Sequence, residues 1–294
     1  MKKIAILLLC TLVFVGCEKD PAQTEIDDVF AVMDDDTFKQ CCSHFDTNGD
    51  GKLSLEEAGS VTWMIVPLRK IESLKGIEYF TALTRLDCWS NRLSTLDLSK
   101  NTALTYLDCD DNNLSSLDVS KNTALIELDC RYNKLTSLDL SKNTALSLLF
   151  CDSNRLNTLD LSKNTALIYL NCSDNNLSSL DVSNNMALTS LYYSNNNLQT
   201  LDFSKNTALT NLDCSGNNLI SLDVSENTAL DYLLCSNNKL STLDISANTA
   251  LTLLYCQNNP SLTTIYVWKG FDPFGPMRSI RNVAKDSHAK FVVK

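Results

Sequence analysis

Histidine is nearly missing from this chain: two residues, His44 and His288, in 294. A histidine-rich metal centre is therefore excluded. Positive charge is also short. There are 25 Lys and Arg against 35 Asp and Glu, a net charge of −10. A nucleic-acid binder needs clustered cations to displace phosphate counterions, so that class is excluded too. No apolar run reaches the roughly 20 residues of a membrane-spanning helix; the run Ile4–Val15 stops short. No catalytic constellation stands out: no Ser/His/Asp set, no Cys/His pair, no nucleotide loop. The carboxylates repeat in series instead of pairing in contrasting environments as acid and base. The chain is not expected to be an enzyme. What it does hold is 44% apolar residues, enough for a core, and 12 Cys. That many Cys would mark a disulfide scaffold in a short chain; here their positions decide.

The first residues form an address. Lys2 and Lys3 precede the apolar run, which ends in Phe14-Val15-Gly16-Cys17. This fits a secretory signal and resembles a bacterial lipobox, with Phe14 where Leu is more usual. The resemblance implies cleavage before Cys17 and acylation of Cys17; an ordinary signal peptide cleaved beside a Cys is the alternative. Removing residues 1–16 takes away Lys2 and Lys3, so the mature charge moves from −10 to −12. Two or three acyl chains anchor stably where one does not. Residues 17–36 are acidic, contain Pro21 and keep no period, which suggests a lipidated tether. Glu18-Lys19-Asp20 resembles the export signals of Bacteroidetes surface lipoproteins. The implied location is the outer membrane or cell surface, held through the lipid alone.

Asp46 to Glu57 resembles an EF-hand loop at each diagnostic position. Asp46, Asn48 and Asp50 supply oxygens at positions 1, 3 and 5. Gly51 permits the turn. Lys52 offers its carbonyl, Ser54 acts directly or through water, and Glu57 is bidentate. A hard cation needs six to eight oxygens at one point, and this spacing supplies them. Phe38, Cys42 and Phe45 fall at i, i+4, i+7, the buried side of an entering helix. EF-hands commonly pair, and only one loop is present. A single weak site suits calcium outside cells and a structural role. The unit 37–60 is expected to dock as an N-terminal cap.

The rest is one sentence repeated every 21 residues. From Leu83 it runs LTRLDCWSNRLSTLDLSKNTA, then LTYLDCDDNNLSSLDVSKNTA. The sixth position is Cys88, Cys109, Cys130, Cys151, Cys172, Tyr193, Cys214, Cys235 and Cys256; Asn91 through Asn259 keep the same step. The pattern resembles bacterial leucine-rich repeats of the short IRREKO type over residues 61–267. The expected fold is a repeat solenoid of mostly short parallel β-strands with a small helical EF-hand-like cap. Leu86 and Cys88 alternate with Arg85, Asp87 and Trp89, which predicts a strand with one buried face. Leu96 and Leu98 predict a second strand across each coil. Nine coils at about 4.8 Å give a rod on the order of 43 Å long. Eight ladder Cys are expected as buried free thiols acting as small hydrophobes, since side chains on adjacent parallel strands point the same way and not at each other; a disulfide or metal ladder is the alternative. Tyr193 is expected to bulge the solenoid. Residues 268–294 form a C-terminal cap ending in a strand over Ala289–Val293.

Between copies, the Leu, Cys and Asn positions hardly change, while the outward columns do. One column contains Arg85, Tyr106, Glu127, Tyr169 and Tyr232. The next contains Asp87, Asp108, Asp129, Phe150, Tyr192 and Tyr255. A third starts Trp89, Asp110, Arg131. The family resemblance implies that this is the concave binding face. Its composition suits a protein partner; a glycan stacked on the rings, as in a sugar-uptake lipoprotein, is the alternative, and a passive surface role a third. On the far side Asp97 recurs at every step to Asp244. Stacked like charges repel, so Lys three residues on, or turn N–H groups, must compensate. A row of calcium ions is the alternative, opposed by the Lys.

Overall fold

The computed structural model describes residues 26–273, 280 and 282–294. The signal segment, Cys17 and the start of the tether lie outside these residues. Two short helices come first, α1 (Asp36–Cys42) and α2 (Leu55–Ser60). Asp35 caps α1 by accepting the Phe38 N–H. Ser54 caps α2, with Glu57 bonding back in a reciprocal capping box. Then come the strands β1 (Trp63–Ile65), β2 (Arg85–Asp87), β3 (Tyr106–Asp108), β4 (Glu127–Asp129), β5 (Leu148–Phe150) and β6 (Tyr169–Asn171). They continue as β7 (Ser190–Tyr192), β8 (Asn211–Asp213), β9 (Tyr232–Leu234), β10 (Thr242–Asp244), β11 (Leu253–Tyr255) and β12 (Thr264–Val267). The cap strands are β13 (Asn282–Ala284) and β14 (Lys290–Val293).

Strands β1 to β9, then β11 and β13, form one 11-stranded parallel sheet. Leu86, Leu107, Leu128 and their equivalents share a register and a buried face. One coil cannot hide its Leu face; stacking coils makes a continuous core. The ladder cysteines are free and buried. Burial holds their thiols far from ionising, with Cys172 and Cys256 pushed up to about 12. They are small hydrophobes and not nucleophiles.

Two rows of buried Asn rivet the coils. In the first, Asn154 accepts the Leu135 N–H and donates to Cys130 O in the coil before. The second row, Asn101 to Asn248, is fully buried. Its amides donate backwards, as Asn122 does to the Leu98 and Asn101 carbonyls. This row was not anticipated from the sequence, and it corrects the second strand. Among the described residues, a far-side sheet forms from β10, β12 and β14 alone. Elsewhere that side has single bridges, Asp97 to Asp118 and Asp223 to Asp244. The Leu98 carbonyl accepts from Asn122 and from the Asn101 N–H, so any pairing on that side ends at this residue. The Asp row is compensated first by backbone N–H groups, with the Lys three residues on contributing less. Asp97 Oδ1 accepts the Ser99 N–H at 2.9 Å, and the same bond recurs at Asp118, Asp139 and Asp160. These bonds, ahead of any Lys, lower the carboxyl pKa values.

Tyr193 makes no bulge: β6, β7 and β8 stay in register around it, and the ring is fully buried. A tether through residue 36 is also corrected. Val29 and Phe30 are buried, and Met33 and Val29 crowd Gly76. Three apolar residues in an acidic stretch are enough to fold its second half onto the cap. Asp35 Oδ2 ties this cap to the first coil, accepting the Glu72 N–H at 2.7 Å.

Candidate functional site

The loop from Asp46 to Glu57, expected to hold calcium, is pre-turned by its own side chains. Asp46 accepts the Gly49 and Gly51 N–H groups at 2.8 and 2.9 Å. Asn48 accepts from Asp50, and Asp50 from Lys52. Gly51 takes a φ of 82°, a left-handed turn that a side chain would strain. Glu57 Oε1 accepts the Thr47 N–H and hydroxyl, and Oε2 the Ser54 N–H and hydroxyl. These bonds, the Ser54 N–H foremost, hold the Glu57 carboxyl down at about 2. All the donors are hard oxygens on one loop, which fits calcium. Asp46, Asp50 and Glu57 do not form a trio with oxygens all within 4.8 Å of one another. Among the described residues, the acids whose oxygens lie within 4.8 Å of one another are Asp108, Asp110 and Asp129. Sequence reasoning also missed how a single loop is braced. Leu53 O accepts the Val29 N–H at 2.7 Å, and Asp28 Oδ1 accepts the Leu53 N–H at 3.1 Å.

The outward columns line the face of the long sheet, since each strand pairs residue for residue with the next. Outward does not mean exposed. Arg85 spans Asp87 at 3.0 Å and covers the Tyr106 ring, its guanidinium 3.6 Å from the centroid. Arg131 reaches Asp129 at 3.1 Å and Asp110 at 3.5 Å, and lies 5.6 Å from the Phe150 centroid. Asp87 and Asp129 are buried, and Glu127 is half-buried. Burial first, with neighbouring carboxylates adding to it, pushes Asp108 up to about 6 and Asp129 to about 7. Next comes an aromatic run: Phe150 to Tyr169 at 4.7 Å, then Tyr169 to Tyr192 at 5.4 Å. Tyr232 and Tyr255 are exposed beyond it, and Trp89 is half-buried at the other end. The register adds two residues not anticipated. Trp63 pairs with Arg85 and Ile65 with Asp87, and both are exposed. The signal was available, because Met64 between them belongs to the core and period two places its neighbours outside.

No family model matches this chain, and no curated protein is similar to it. Among solved structures, the functional domain of InlJ from Listeria monocytogenes, which includes a cysteine ladder, is 37% identical. Its TM-score is 0.67, over 81% of this chain and 60% of that one. A leucine-rich-repeat protein of Leptospira interrogans aligns at 21% identity and TM-score 0.62, over 76% of this chain and 65% of that one. The chain folds as a leucine-rich-repeat solenoid. It spans less than two thirds of either neighbour. The LRIM1/APL1C complex contains the same fold, at 20% identity and TM-score 0.58, over 81% of this chain and 52% of that one.

Proposed function

We propose that this leucine-rich-repeat protein is a lipid-anchored surface receptor that binds a protein partner on the concave face of the solenoid, with calcium bracing its cap. The aromatic run from Phe150 through Tyr192, continued by exposed Tyr232 and Tyr255, carries the reading. A solvated face would avoid such a stripe, and aromatic anchors dominate protein interfaces. A glycan partner is the second reading. It is the less favoured, because Phe150, Tyr169 and Tyr192 lean on one another at 34° and 37° and leave fewer free flat platforms. Surface-protein capture and a glycan array, run side by side, separate the two. Changing Tyr169, Tyr192 and Tyr232 together to Ala is expected to lower affinity for the captured protein by about a hundredfold or more. Undiminished binding by the triple variant would refute the face assignment.

Cys17 is the proposed lipid site. Cys17→Ala is expected to move the protein from the membrane fraction to the soluble one, since two or three acyl chains carry the anchoring. Retention in the membrane pellet would count against it.

Calcium, when bound, supplies a charge that gathers the Asp46, Asn48, Asp50, Lys52, Ser54 and Glu57 oxygens. Ligand linkage stabilises by about 1–3 kcal/mol for calcium at 10 to 100 times its dissociation constant. A chelator is therefore expected to lower the melting temperature by about 2–8 °C. Asp46→Ala is expected to erase that shift. A wild-type melting curve indifferent to chelator excludes the site.

A further inference from the structure

The protein-binding reading leaves the partner's chemistry open, and the first half of the face narrows it. Over β2 to β5 six carboxylates face outward: Asp87, Asp108, Asp110, Glu127, Asp129 and Asp152. Only Arg85 and Arg131 oppose them. The deficit is local as well as numerical. Asp152 is 7% exposed, borders Arg131 and Asp110, and has an Oδ1 with no hydrogen-bond partner. Asp110 Oδ1 is likewise buried and unpartnered. An unmatched buried carboxylate oxygen is costly, so an arriving donor recovers more there than on open surface.

The resident arginines show which donors fit. Each guanidinium sits between a carboxylate and an aromatic ring, Arg85 between Asp87 and Tyr106, and Arg131 between Asp129 and Phe150. A planar cation satisfies both neighbours at once, through charge-assisted hydrogen bonds and the ring quadrupole. Beyond Arg131 the outward columns carry no further cation. Asp152, with its unpartnered Oδ1, stands in the coil of Phe150 where the Phe150–Tyr169–Tyr192 run begins, and Asp110, held by Arg131 through Oδ2, keeps an unpartnered Oδ1 two coils before it. A divalent ion suits the trio Asp108, Asp110 and Asp129 less well, because Arg131 already occupies two of its three members.

Resting on that reading, we propose that the partner presents a basic segment: arginine or lysine side chains set into the acidic zone over β3 to β5, with adjoining apolar side chains laid on Phe150, Tyr169 and Tyr192. The probe is a random peptide library displayed on phage, selected against the purified full chain in detergent. Enriched peptides are expected to pair Arg or Lys with aromatic or aliphatic residues. Their synthetic forms are expected to bind about tenfold or more weaker to the Asp110→Asn, Asp152→Asn double variant, since each removes a charge-assisted contact. Changing peptide Arg to Gln should cost as much. An unchanged melting temperature verifies that the double variant is folded. Enriched peptides that are neutral or acidic, yet lost on Tyr169→Ala and Tyr192→Ala, overturn the basic segment and leave the protein-binding reading standing. Peptides indifferent to both sets of variants, or no enrichment at all, overturn both. Displacement of the peptide by millimolar calcium in the Asp46→Ala background would reassign the cluster to a metal ion and overturn the proposal.

Discussion

Asn154→Ala is expected to destabilise the solenoid by about 3–5 kcal/mol. The side chain makes four hydrogen bonds: Oδ1 with the Leu135 N–H at 2.9 Å, and Nδ2 with the carbonyls of Cys130, Cys151 and Asp152 at 3.0 to 3.2 Å. Leu135, Cys130 and Cys151 are fully buried, so water cannot replace the lost partners. Each abandoned buried group costs about 1–3 kcal/mol, partly recovered by relaxation. Position matters as much as magnitude. A solenoid is held by nearest-neighbour interfaces, and Asn154 rivets a central one. Urea unfolding is therefore expected to show a lower midpoint and a transition that splits as the two halves uncouple. Asn197→Ala is the control. That residue is exposed, and its backbone N–H, bonded to the Leu177 carbonyl, survives the change. It should stay within about 0.5 kcal/mol of wild type. Equal losses at the two positions would show that the rivet carries no special share of stability.

That contrast marks what a repeat reveals. The 21-residue step fixes the period, the strand and the Leu face, because burial of a period-two apolar stripe has one solution. The row from Asn91 could be read because it follows a strand at a turn. The row from Asn101 could not. It sits in Ser-Lys-Asn-Thr, a polar string that resembles solvated surface, and only the stacked backbone turns its amide inward. Reading that row as surface went with expecting a far-side strand through Leu98 in each coil, whereas the row takes the Leu98 carbonyl and ends pairing there. Asp97 and Lys100 misled differently. Three-residue spacing suits pairing on a helix, but in a tight turn the Ser99 N–H is nearer. On the face, the columns were legible from the register alone. Which neighbours meet was not. Phe150 touches Tyr169 from another column, and Tyr169 touches Tyr192 in the same diagonal way. Strand twist decides those diagonals, and twist is not written in a column of letters.

Tyr193 offers the sharpest test of packing, because the sequence supplies its own control. Eight copies have Cys at this position. Tyr193 is fully buried, and its hydroxyl faces the Cys214 sulfur, a weak acceptor, with no oxygen or nitrogen partner. Tyr193→Phe is therefore expected to be neutral or to stabilise by about 1 kcal/mol, as it removes a weakly matched polar atom and keeps the ring. Tyr193→Ala should cost about 3–5 kcal/mol, the loss typical of an aromatic ring cut from a core. Tyr193→Cys is the informative case. It restores the ladder consensus, yet it should still cost about 2–4 kcal/mol, because the surrounding coils have packed around a ring and relax only partly. The three variants can be ranked by chemical denaturation of the same chain. A Cys variant as stable as wild type would mean that the coils close up freely around this position. A Phe variant weaker by more than about 1 kcal/mol would mean that the hydroxyl is engaged. The expected order, Phe at the top, Cys between and Ala lowest, follows only if local packing outweighs agreement with the repeat.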